Sequence, residues 1–167
     1  MPVKTQKLTG SGDDVVKIQA VESLAIVKFN CPDCSGNVTL TTDGAEGLLV
    51  NTIGSYSGTH FINVSDGSVT NQLTVTAEGS WTASIMDYTS ASTALSGEGD
   101  TALFLTGAAT SARIKNTGEG NFVVQVYSSG GTDLAVNEIG SYAGTVPMSF
   151  PCLVQITSEG AWSIQPK

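Results

Sequence analysis

The sequence predicts an all-β protein built as two tandem antiparallel β-sandwich domains, immunoglobulin-like or jelly-roll-like. Three observations predict it. Short runs rich in Val, Ile and Thr are separated by Gly, Ser, Asn and Asp, the pattern of strands joined by tight turns. The apolar residues alternate. In QLTVTA, Leu73 and Val75 point one way and Thr74 and Thr76 the other, and in NFVVQVYS, Phe122, Val124 and Val126 share a face. A period of two marks a sheet buried on one side and wet on the other.

The third observation is repetition. VNTIGSYSGT at 50–59 returns as VNEIGSYAGT at 136–145, GSGD at 10–13 as GEGD at 97–100, SGN at 35–37 as EGN at 119–121, and TAEGSW at 76–81 as TSEGAW at 157–162. The matches keep their order at offsets of 86, 87, 84 and 81 residues. One ancestral unit of roughly 80 residues was therefore duplicated, with length changes confined to loops.

Each copy reads as seven strands. In the first they are expected at 14–19, 24–30, 36–42, 47–52, 58–64, 71–77 and 80–85. In the second they are expected at 101–106, 111–116, 120–128, 133–138, 144–150, 152–158 and 161–165. The domains span 1–86 and 95–167, and 87–94, without apolar periodicity, is the linker. MPVKTQKLTG precedes the first expected strand and reads as an extended arm that could dock on a partner by strand addition.

Composition narrows the function. The 167-residue chain is 40% hydrophobic and 13% charged, with 19 Gly. A normal apolar fraction at half the usual charge separates it from disordered acidic chains. Net charge is −8, and Lys4, Lys7, Lys17, Lys28, Arg113, Lys115 and Lys167 never cluster in sequence. Nucleic acid and anionic membrane surfaces are thereby set aside as partners. No apolar stretch approaches the roughly 20 residues of a membrane helix. The opening MPVKTQKLTGSGDD lacks the apolar segment of a secretory signal, so the chain is expected to stay in the compartment that makes it unless a leader was removed.

Most motifs read as architecture. In the ten-residue phrase, Val50, Ile53, Val136 and Ile139 are expected in the core, and Gly54, Gly58, Gly140 and Gly144 at a corner. Tyr56 and Tyr142 would cap that corner, each hydroxyl on a backbone partner, as a tyrosine corner does. The functional alternative makes Asn51, Tyr56, Asn137 and Tyr142 the candidate binding residues of two surface loops. GSGD and GEGD read as turns opening a strand. Phosphate would need a following helix, and Asp13 and Asp14 are too few for calcium. Trp81 and Trp162, one per copy, are expected in the cores.

CPDC at 31–34 reads as a hairpin turn carrying two thiols, with a local disulfide or a metal site as the alternatives. Zinc would need four ligands, and only Cys152 and His60 remain to supply them. The second copy has KNTGEGN there, so the fold itself needs no metal at this loop. His60 is the single histidine, with Val146 at its place in the second copy, and Glu78 and Glu159 stand in Glu-Gly turns. No nucleophile–base or carboxylate constellation emerges, and neither enzyme activity nor a cofactor is expected.

The phrases LLVNTIGSYSGT at 48–59 and LAVNEIGSYAGT at 134–145, with GSGD before and TAEGSW after, resemble repeat domains of exported proteins and lipoproteins of actinobacteria and of phages of those hosts. The resemblance spans both copies. It implies small β-sandwiches acting as surface or adhesion-like modules. A Ser/Thr/Gly-rich double sandwich without a leader suits a protein made in the host cytoplasm and displayed on a virion. The expectation is a phage accessory, a capsid decoration protein or head or tail appendage, whose partners are a protein lattice or virion subunits, or further copies of itself. The alternative is a cell-surface module that binds glycan or protein.

Overall fold

The alternation in the sequence is realised as β-strands throughout a computed structural model, which describes residues 1–129 and 131–167. The chain divides into two units, Met1–Ser90 and Ala91–Lys167. The N-terminal unit contains β1 (Gln6–Ser11), β2 (Asp14–Val21), β3 (Ala25–Cys31), β4 (Asn37–Thr42), β5 (Leu48–Ile53), β6 (Tyr56–Ile62), β7 (Thr70–Thr76) and β8 (Ser80–Asp87), followed by a single 3₁₀ turn, Tyr88–Ser90. The C-terminal unit contains β9 (Ser96–Glu98), β10 (Thr101–Leu105), β11 (Ser111–Asn116), β12 (Asn121–Ser128), β13 (Gly131–Ile139), β14 (Tyr142–Pro147), β15 (Cys152–Thr157) and β16 (Ala161–Pro166).

The strands of the N-terminal unit form two antiparallel sheets, ordered β1-β8-β3-β6 and β2-β7-β4-β5. First pairs with last, second with seventh, third with sixth and fourth with fifth. This nesting is a jelly roll, a long hairpin rolled into two sheets, and not the strand order of an immunoglobulin sandwich. The C-terminal unit repeats it strand for strand, with sheets β9-β16-β11-β14 and β10-β15-β12-β13. Each unit buries its own core. Phe29, Leu40, Leu73, Trp81 and Ile85 are central in one, and Leu103, Ile114, Phe122, Ile156 and Trp162 in the other. Burial of such side chains at about 25 cal/mol per Å² is the main force holding each roll together.

The structure adds an eighth strand to each expected set of seven. Residues 6–11, expected within an extended arm, form β1 and pair with β8 from Gln6↔Ile85 to Ser11↔Ser80. Even ahead of β1, the Val3 N–H is held by Asp87 Oδ2 at 3.0 Å and its side chain packs on the core. Residues 96–98, read as part of a turn, form β9 against β16. The expected linker 87–94 carries structure of its own. Asp87 closes β8, Ala91 is buried, and Ser92 pairs in parallel with Leu103.

Gly-x-Gly-Asp follows a physical logic that both copies share. A Cβ on Gly10 or Gly97 would fall on the indole of Trp81 or Trp162, so the first glycine makes room for the buried ring. The second, Gly12 or Gly99, has φ +75, where side chains are strained. Its carbonyl accepts the indole N–H of Trp81 or Trp162 at 3.0 Å. The aspartate carboxylate closes the turn, Asp13 accepting from Ala77 N–H and Asp100 from Ser158 N–H, both at 3.0 Å.

Candidate functional site

The ten-residue phrase carries the chain from one sheet to the other, along β5 into β6 and along β13 into β14. The crossing is sharp enough to need φ of +91 at Gly54 and +89 at Gly140. In both units the glycine N–H is anchored to the β3–β4-type turn. Gly54 donates to Gly36 O at 2.9 Å and Gly140 to Gly120 O at 2.8 Å.

Both corner tyrosines face inward and are half-buried against their cores. The Tyr56 ring lies 6.2 Å from Phe29, and that of Tyr142 lies 5.9 Å from Phe122. The Tyr56 hydroxyl meets a side chain, Nε2 of buried His60, at 2.5 Å. Asn51 and Asn137 are exposed. They belong to the outer face of the β5 and β13 sheets, whereas the tyrosines plug the interior. The four candidate residues thus form no common patch in either unit.

The exposed partners of the asparagines are apolar. Val50 and Val136 are buried as expected, but Ile53 and Ile139 are not core residues: they are 76% and 79% exposed. Leu48 and Leu134 are 56% and 53% exposed. A β-bulge explains the outward leucines. Val50 pairs with Leu40 while Leu48, two residues away, pairs with the adjacent Thr41, so Leu49 is an extra residue. Val136 and Leu134 likewise pair with neighbours Val124 and Gln125, leaving Ala135 extra. Simple alternation would turn Leu48 and Leu134 inward with the valines. The extra residue re-aims them outward, beside Asn51 and Ile53 or Asn137 and Ile139. Each roll therefore carries the same Leu–Asn–Ile strip on an outermost strand. Counting alternate residues misses Leu48 and Leu134, because the bulge breaks the period, whereas Ile53 and Ile139, three residues past the valines, face outward by alternation alone.

The CPDC turn differs from its expected pair of thiols. Cys31 and Cys34 are joined by a disulfide, and both are buried. In the C-terminal unit the equivalent of Cys31 is Asn116, since each pairs with its corner tyrosine. Asn116 is also buried. Its amide donates to Gly140 O at 3.0 Å, and its Oδ1 accepts from Ser158 Oγ at 2.7 Å. Ser158 stands where the first unit has Ala77. A covalent link in one roll is thus replaced by hydrogen bonds in the other.

Backbone N–H groups of Asn71 and Gln72 hold the Asp43 carboxyl below the ordinary carboxylate range, the Asn71 bond contributing most. Burial pushes the thiol of Cys152, the remaining cysteine, upward. Among the described residues no group of three or more His, Cys, Asp or Glu is placed to hold a metal ion. Among those residues, too, no helix is long and apolar enough to cross a membrane. A shallow depression in the N-terminal unit is lined by Asn30, Pro32, Ser55, Tyr56 and Ser57. Neither a protein-family model nor a curated protein sequence matches the chain.

Proposed function

We propose that the protein is a non-enzymatic structural component of a virion, a phage accessory such as a capsid decoration protein or a head or tail appendage. It is made in the host cytoplasm and displayed on the particle. Jelly rolls serve viral capsids and lectins alike, so architecture alone does not choose between them. The observation that carries the reading is the doubled Leu–Asn–Ile strip. Leu48, Ile53, Leu134 and Ile139 contribute little to the cores, yet the duplicated units keep all four exposed at the same places, the leucines through the same bulge. Two like strips on one chain suit a partner that repeats, such as a subunit lattice, where the second contact becomes intramolecular and avidity rises. The resemblance of the phrase to domains of actinobacterial exported proteins and their phages points the same way.

The test is co-sedimentation with purified phage particles. The variant combining Leu48→Ser, Ile53→Ser, Leu134→Ser and Ile139→Ser should lose binding at least about tenfold while its melting temperature barely changes, since an apolar anchor is worth 1–2 kcal/mol or more at an interface. Undiminished binding by that variant, or no association with particles, would sink the proposal. The second reading, a cell-surface glycan- or protein-binding module, draws on the depression beside Tyr56, where Ser57 Oγ donates to Asn30 Oδ1 at 2.6 Å. Glycan-array binding abolished by Asn30→Ala and Ser57→Ala would favour it.

A further inference from the structure

We propose that Cys31–Cys34 is a redox lock confined to the N-terminal unit. The argument is a comparison of the two rolls at one place. In the C-terminal roll the end of β11 is tied by side-chain hydrogen bonds: Asn116 reaches the corner carbonyl of Gly140, and Ser158 Oγ bonds Asn116 and also accepts the Gly160 N–H at 3.0 Å. In the N-terminal roll none of these groups is present. Cys31 replaces Asn116, Ala77 replaces Ser158, and the disulfide replaces the ties. Two residues beyond the loop it closes is Gly36, whose carbonyl anchors Gly54 at the corner. When the disulfide opens, two buried thiols remain with no amide or hydroxyl to take over. The second roll has no such dependence, because Cys152 lacks a disulfide partner and sits elsewhere, on β15.

Opening proceeds by exchange with a dithiol. One reagent thiolate attacks Cys31 or Cys34 and the S–S bond breaks. The mixed disulfide is resolved by the second reagent thiolate, leaving two protonated cysteine thiols and a cyclic reagent disulfide. Burial of both sulfurs means that attack follows local opening of the roll. In the chain-entropy view, cross-linking so short a loop shifts the unfolding constant by about 20-fold, and only for the unit that contains it.

Each roll holds one tryptophan, so Trp162→Phe and Trp81→Phe variants report the N- and C-terminal units separately. Thermal unfolding with and without excess dithiothreitol is the test. The Trp81 transition should move down by several degrees in the reductant while the Trp162 transition stays in place. A triple variant, Cys31→Asn, Cys34→Gly and Ala77→Ser, transplants the hydrogen-bonded arrangement and should make the Trp81 transition indifferent to dithiothreitol. It should also melt above the reduced wild type. An equal shift of both indoles, no shift of either, or a triple variant that melts no higher than the reduced wild type would overturn the proposal.

Discussion

Trp81 and Trp162 show how much a single side chain settles. Each indole occupies the interior, gives its N–H to a glycine carbonyl and requires a glycine beneath its ring. Gly10→Ala should therefore destabilise the N-terminal unit, and Gly97→Ala the C-terminal unit, by about 1–3 kcal/mol, the usual cost of overpacking. Denaturant titration followed by the fluorescence of the affected tryptophan checks this. The buried tryptophans were legible in the sequence, but the reason for the first glycine of each pair was not, since Gly-x-Gly reads locally as a turn. Asp87 gives a pH prediction. Bonds from the Thr89 hydroxyl and the Val3 N–H hold its carboxyl below the ordinary 3.8. A carboxyl whose folded value lies below its unfolded one stabilises fully above the unfolded value, and that contribution is lost as pH falls through the folded one. Acid unfolding of the N-terminal unit below about pH 4 should thus be less steep in Asp87→Asn than in wild type, as read by the Trp81 signal. An unchanged slope would remove Asp87 from the account.

Among elements, β5 and β13 separate what a strand needs for folding from what it presents. Val50→Ala should cost about 2 kcal/mol in unfolding free energy, because it empties a filled core position. Ile53→Ser, three residues on and exposed, should stay within about 0.5 kcal/mol of wild type. Chemical denaturation of the two variants side by side decides the matter. Sequence alone placed both residues inside, yet they stand three apart on one strand, so the period of two already turns Ile53 outward when Val50 faces the core. The bulge at Leu49 hid Leu48 instead. A one-residue insertion reverses the facing of everything before it while leaving composition and propensity untouched. The same limit hid β9, whose three residues are too few to show a period. The Cys31–Cys34 pair escaped for another reason. The second copy has no cysteine at this loop, and the paired exchange of Cys31 with Asn116 and Ala77 with Ser158 was the sign of two alternative fastenings.

At the scale of the whole molecule, duplication was the most legible property, because order and spacing survive even where loops drift. The boundary was less so: 87–94 looked like linker by composition, yet Ser92 accepts Phe104 N–H at 2.8 Å and donates its own N–H to Ala102 O at 3.1 Å. Pairing across a strand edge leaves no trace in hydropathy. Fragments 1–90 and 91–167 should each unfold in one cooperative transition, as calorimetry would show, since each encloses its own core. A C-terminal fragment starting at residue 95 should melt lower than one starting at 91. The nested pairing also has a kinetic side. Gln6 meets Ile85, so the first strand finds its neighbour only after nearly the whole unit has been synthesised. During translation β4 and β5 can zip early, whereas β1 must wait for β8 to emerge from the ribosome, a delay of several seconds at 5–20 residues per second. Until then the newborn roll exposes its seam to any passing nascent chain.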